Sequence, residues 1–441
     1  MNEKMLQQYA RLVIGVGVNL QKGQPLTIAC PVECAFFARL LVAEAYRAGA
    51  KDVIVNWRDD FCAREHWMHA DDSLFDAVYP WDALQKNTLG REGAAYVAIL
   101  ATDPENLKGV DPERLRRWEI ATGRDLKEFN RLQMSNGFPW CLVSIPIVSW
   151  ARKVFPDQTD DEAMEKLWAE IFKAVRITEN GDACSDGSAG LEGNAGSDGS
   201  VILDDSAVQD GGVIHKWRVH CDRLKVRADK LSDYHFKSLH YTNALGTDLT
   251  IEMPENHVWL AVDDVAKSGV HFLANMPSEE IFSAPLRNSA NGVLVASKPL
   301  VLNGNIVDGI RLVFEKGRIV ELHADVGEET LRASVEIDEG SHYLGEIALV
   351  PYDSPISKSG VLFYNTLFDE NASCHFAFGE AYASCIRGGA EMSVEELSAS
   401  GINAESSTHV DFMVGTEDLS IIGTTHDGRQ VAVFENGNFA F

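Results

Sequence analysis

Long apolar runs are missing from this chain of 441 residues. No stretch reaches the roughly 20 apolar residues needed to cross a bilayer. The best N-terminal candidate, Leu12 to Leu20, is short and interrupted by Gly15 and Gly17. It runs into Gln21-Lys22 rather than a small-residue cleavage site, so neither a membrane span nor a secretory leader is expected. Basic charge is also scarce: 39 Lys and Arg stand against 66 Asp and Glu, a net charge of -27. Nucleic acid and anionic membrane faces both call for a basic surface, and this charge balance argues against either partner. Cysteine is sparse too, with eight in the whole chain and no C-x-x-C pair. That excludes a disulfide framework and fits reduced thiols in a cytoplasmic protein. Cys30 and Cys34 flank a strand-to-helix turn as small core residues.

What is present is an ordinary globular composition, 45% hydrophobic, in a chain long enough for two cores. Residues 1–178 read as an α/β domain with a mostly parallel sheet. Leu26 to Ala29 is a strand, Glu33 to Ala50 a helix and Asp52 to Trp57 a second strand, one right-handed crossover unit. Tyr96 to Leu100 and Cys141 to Ile145 are further buried strands, with helices over Pro112 to Leu132 and Asp160 to Val175. Gly15-Val16-Gly17 is no phosphate cradle, because it precedes the first strand and lacks a third glycine. His66 and His69 sit beside Arg64 and Glu65 on an ordinary helix surface.

Residues 179–212 form an acidic Gly/Ser-rich insertion that buries too little apolar area to offset its ordering entropy. Residues 213–441 read as an α+β metal-binding domain with a mainly antiparallel sheet. Strands bounded by Asn-Gly, Lys-Gly and Asp-Gly turns dominate it. Its helices are few: Glu328 to Val335, the segment after Asp369, and Ser393 to Ser398.

The chemistry concentrates in this second half. Phe368-Asp369-Glu370-Asn371-Ala372-Ser373-Cys374-His375 is followed by Tyr382. Asp369 to Cys385 is expected as a helix, with Asp369 or Asn371 as its N-cap and Cys374, Phe378, Ala381 and Cys385 as its buried stripe. On that helix His375 and Tyr382 would be nearly in phase, about 10.5 Å apart along the axis. His409 and Asp411, two apart on a strand, point to one face. Glu279 and Glu280 point to opposite faces of an extended segment, so at most one serves the site. Glu346 stands in the apolar run Leu344 to Val350, where burial would demand a compensating cation or metal. Three carboxylates and two imidazoles exceed one tetrahedral site and suit two divalent ions sharing a carboxylate. The mixed nitrogen and oxygen ligands suit Zn, Co or Mn.

Several segments together carry a family resemblance: Gly15 to Gln24, Ala45 to Ala50, Pro277 to Pro285, Leu367 to Ala372, Ala377 to Tyr382, and His409-Val410-Asp411-Phe412-Met413. The chain resembles the aminopeptidase T/aminopeptidase S family of metallo-aminopeptidases over nearly its whole length. The resemblance implies a two-metal exopeptidase that removes N-terminal residues from peptides with a free N-terminus. The metal ligands it implies are Glu280, Glu346, His375, His409 and Asp411, which chooses Glu280 over Glu279. It places the catalytic glutamate and tyrosine on Glu370 and Tyr382. It also implies a homodimer whose active sites face an internal cavity. Another metallo-amidase, or a metal-binding protein without activity, is the alternative.

Overall fold

The structure, a computed structural model, describes residues 2–178 and 212–441. All but the last residue of the 179–212 insertion lies outside the described residues.

Five parallel strands form one sheet, in the order Asn275–Met276, Trp140–Val143, Ala95–Ile99, Pro25–Pro31, Asp52–Arg58. The expected crossover unit is there. The Ala35–Arg47 helix joins the last two strands and buries Phe37, Ala38, Leu41 and Ala45 against them. Cys30 and Cys34 are fully buried. The expected helix over Pro112 to Leu132 breaks at Leu126 into Pro112–Asp125 and Lys127–Met134. Asp160–Ala174 opens with a capping box between Thr159 and Glu162. The fifth strand, Asn275–Met276, comes from beyond residue 213 and carries a cavity-lining residue onto this sheet.

The second half holds an eight-stranded and a five-stranded antiparallel sheet. The five-stranded sheet runs His409–Met413, His375–Gly379, Leu344–Leu349, Ile281–Ser283, Leu260–Ala261. Two expectations fail. Val213–Tyr234 is a 22-residue helix where a strand-rich texture was expected. It is charged over most of its surface, but Val213, Trp217, Leu224, Ala228 and Leu231 make a narrow buried stripe.

The helix expected from Asp369 to Cys385 does not form either. A short helix, Thr366–Asp369, passes into a turn at Glu370–Ala372, and His375–Gly379 is a strand. All five residues of that strand are buried. Burial on both faces hides the alternation that marks a strand. His375 and Tyr382 are therefore not neighbours on one helix face. Asp369 caps nothing; its carboxylate accepts from the backbone N–H groups of Phe363, at 2.8 Å, and Asn365, at 3.0 Å. Gly379 ends the strand at φ 109°, where a Cβ would run into the Thr408 carbonyl oxygen. Only glycine fits there.

Candidate metal and active site

The register of the five-stranded sheet explains how residues more than a hundred positions apart meet. Glu346 lies opposite Ala377, and Ala377 opposite Asp411. Ala348 lies opposite both His375 and Phe282, and Gly379 opposite His409. Side chains on directly paired residues share a face, as do residues two apart. Glu346, His375, His409 and Asp411 therefore share one face, and Glu280, two before Phe282, extends it by one strand. Between them stand Ala348, Ala377 and Gly379, whose small size leaves the face concave. The other face carries Ile281, Ile347, Phe376, Phe378 and Phe412 into the core.

Distances on this face are short. His375 Nε2 is 3.2 Å from Glu280 Oε2 and 3.8 Å from Glu346 Oε1. His409 Nε2 is 3.2 Å from Glu346 Oε2 and 3.6 Å from Asp411 Oδ1. Glu346 thus offers one oxygen to each histidine. Two ligand groups result, Glu280–Glu346–His375 and Glu346–His409–Asp411, each with donor atoms within 4.8 Å of one another.

Both imidazoles turn the same edge inward. His375 Nδ1 is 3.0 Å from the Glu370 and Ser373 carbonyls, and His409 Nδ1 is 2.7 Å from the Glu380 carbonyl. A donor Nδ1–H fixes the tautomer and leaves Nε2 as a lone-pair ligand facing the cavity.

The electrostatics ask for a cation. Glu280, Glu346, Glu370 and Asp411 line one cavity, and among the described residues their ion-pair partners are the two histidines. Burial pushes the Glu346 and Glu370 carboxyls up, and neighbouring carboxylates push them further. Burial alone would pull His375 down, yet Glu280 and the other acids outweigh it and hold the imidazole at about 10. His409 is raised in the same way by Asp411 and Glu346. Crowded carboxylates with two outward-facing Nε2 atoms are the donor set that a hard or borderline divalent metal takes.

Glu370 and Tyr382 stand beside these groups and belong to neither ligand group. Glu370 Oε1 accepts from Asn371 Nδ2 at 3.3 Å and from Asn275 Nδ2 at 3.4 Å. The Tyr382 ring meets the His409 imidazole edge-on at 5.0 Å.

A model of the thermophilic metalloprotease family M29 matches residues 2–186 and 200–439. The chain belongs to this family. The M29 match leaves part of the acidic insertion between its two stretches. Aminopeptidase AmpS of Bacillus subtilis is 44% identical over 99% of this chain and 98% of its own. Aminopeptidase T of Thermus thermophilus is 35% identical over 99% of this chain and 98% of its own. The solved structure of wild-type AmpT from Thermus thermophilus covers 100% of both chains with a TM-score of 0.83. The M29 chain is thus a metallo-aminopeptidase by class, as its motifs imply.

Sequence reasoning missed two groups of residues in this M29 site. Asn136, Trp140, Asp264 and Asn275 line the same cavity as the ligands. No spacing could have joined them, since Asn136 and Asp264 are 128 positions apart. The second group braces the Ser278–Glu280 turn. Glu279 faces away from the ligands, as the alternation requires, and pairs with Arg176 at 2.6 Å; the two side chains are 6% and 14% exposed. Asn371 Oδ1 accepts the Glu279 backbone N–H at 2.7 Å, and His220 Nε2 lies 2.8 Å from the Ser278 carbonyl. Glu279→Ala would strand Arg176 without its counter-charge, so a stability loss of about 3–5 kcal/mol is expected. Urea unfolding read by tryptophan fluorescence checks it; an unchanged midpoint would remove the brace assigned to Glu279.

Proposed function

We infer that this metallo-aminopeptidase works with two divalent ions, Zn, Co or Mn, held by Glu280, Glu346, His375, His409 and Asp411. One observation carries the reading: the two ligand groups share Glu346, with one oxygen directed to each. Bound there, the ions would polarise the scissile carbonyl and lower the pKa of a water. The rest falls to the chain's own side chains. Glu370, fixed by two amide donors, takes the proton of the attacking water and returns it to the leaving amine. Tyr382, whose phenol stays protonated at neutral pH, donates to the oxygen that becomes negative in the tetrahedral intermediate. The substrates are peptides with a free N-terminus.

The protein acts in the cytoplasm as a homodimer with its active sites turned to an internal cavity. The seven described cysteines are all free, which supports a reducing compartment. Phe61 (72% exposed), Trp81 (64%) and Leu84 (65%) offer apolar surface for a partner copy.

The experiment combines metal analysis with activity on aminoacyl-anilides. EDTA is expected to abolish turnover and add-back of Co, Mn or Zn to restore it, while the N-acetylated anilides stay uncut. Cleavage of acetylated substrates would point to another amidase, and full activity without metal would end the two-metal reading. Light scattering reads the dimer directly.

A further inference from the structure

The roles above leave part of the cavity wall unused. Asp264 lines it from a two-stranded ribbon, Asp264–Val265 paired with His271–Phe272. Its Oδ1 accepts a 2.9 Å hydrogen bond from Asn136 Nδ2, its one hydrogen-bond donor among the described residues. Asn136 is itself buried. No described Lys, Arg or His forms an ion pair with Asp264, and the charges that act on it most are those of Asp263, Glu280 and Glu346. Burial, joined by these acids and opposed by the Asn136 bond, raises its carboxyl to about 7. It belongs to neither ligand group. A carboxylate in this position is stabilised by a cation that the described protein does not provide.

Two further groups on the same wall are incomplete. Trp140 is 5% exposed, and its Nε1–H finds no acceptor among the described residues. Asn275 directs Nδ2 at Glu370, while its buried Oδ1 finds no donor among the described residues. Buried polar groups are normally paired, so an unpaired donor and an unpaired acceptor in two residues that line the cavity call for a ligand that offers both. A peptide group offers both, and the residue ahead of it in an aminopeptidase substrate carries one cation common to every substrate, the α-ammonium.

We propose that Asp264, held by Asn136, receives the α-ammonium of the substrate, and that Trp140 Nε1 and Asn275 Oδ1 hydrogen-bond the peptide group beside it. This inference rests on the aminopeptidase reading above and adds to it the origin of the N-terminal requirement. An acylated or internal residue would set a neutral amide against Asp264, leaving its charge without a counter-charge. The amine and the adjoining peptide group are the same in every substrate, so the contact acts on all N-terminal residues alike.

The test is Asp264→Asn in metal-loaded enzyme, with kcat and KM measured separately on alanyl-, leucyl- and lysyl-p-nitroanilide. Loss of a charge-assisted contact made equally in ground and transition states raises KM and spares kcat. KM is expected to rise by about tenfold or more on all three substrates, with kcat within about threefold and metal per chain unchanged. Inhibition by n-butylamine should weaken by a similar factor. A rise confined to the lysyl substrate would overturn the proposal, because Asp264 would then read a side chain. An unchanged KM, or loss of metal, would overturn it too.

Trp140→Phe keeps the ring and removes the N–H, and serves if Asp264→Asn does not fold. Its KM for trialanine should rise several-fold, and no rise would remove the wall as a peptide site. Failure of the aminopeptidase reading is distinct from all of these: the wild-type enzyme itself would then leave every unblocked substrate intact.

Discussion

Glu370→Gln is expected to lower kcat by about 10²–10⁴-fold while metal content and fold stay as in the wild type. The geometry separates Glu370 from the candidate ligands. It lies buried in the cavity, yet it belongs to neither group of donors that converge within 4.8 Å. Its Oε1 is spoken for by Asn275 and Asn371, which leaves Oε2 to work. Glutamine preserves size and the accepting Oε1 but presents a donor amide where the base must accept a proton. Single-turnover kinetics with metal counted by plasma emission decides the matter. Loss of metal in Glu370→Gln would make Glu370 a ligand and remove it as the base; unchanged kcat would move the proton transfer elsewhere.

Glu346→Ala should have the largest effect on the metal. Each of the two histidines meets a different oxygen of this one side chain. On the two-ion reading, Glu346 belongs to both candidate ligand groups, so its removal would take a donor from each. The wild type is expected to hold two ions per chain, Glu346→Ala none tightly, and Asp411→Asn to weaken one. Activity in Glu346→Ala should fall by about 10³-fold or more, as losing both ions removes the largest electrostatic term at the reacting carbonyl. Metal that binds the folded state alone also stabilises it, so EDTA should lower the melting temperature of the wild type and leave that of Glu346→Ala unmoved. Two ions retained by Glu346→Ala would refute the shared-carboxylate arrangement.

The sequence carried some of this plainly. The strand–helix–strand unit at residues 25–58 stands out because one helix face is apolar and both strands are short apolar runs. His409 and Asp411 were readable as a pair because a period of two is all that a strand needs. The alternation also sets Glu279 and Glu280 on opposite sides, although the choice of Glu280 comes from the family motif.

Around His375 the helical period misleads. Cys374, Phe378, Ala381 and Cys385 recur at helical spacing, yet Phe376 and Phe378 are the core-facing residues of a strand whose other face is equally buried. The Val213–Tyr234 helix was lost for the opposite reason, a buried stripe too narrow to emerge from a charged background. The cavity wall of Asn136, Trp140, Asp264 and Asn275 follows from tertiary packing between distant segments, to which local periodicity is blind.

The order of strands in the five-stranded sheet has a bearing on how the enzyme is made. Glu280 and Glu346 emerge from the ribosome first, His375 later, and His409 and Asp411 come last, on the strand at the sheet's edge. Domains assemble from the N-terminal side during synthesis, so the scaffold around the first acids can be in place while the second half of the proposed metal site is still untranslated. Until the chain has grown past Asp411, the shared carboxylate has a partner on one side only. On the two-ion reading, hydrolytic competence would be tied to near-completion of the polypeptide, and a stalled fragment would leave free N-termini untrimmed.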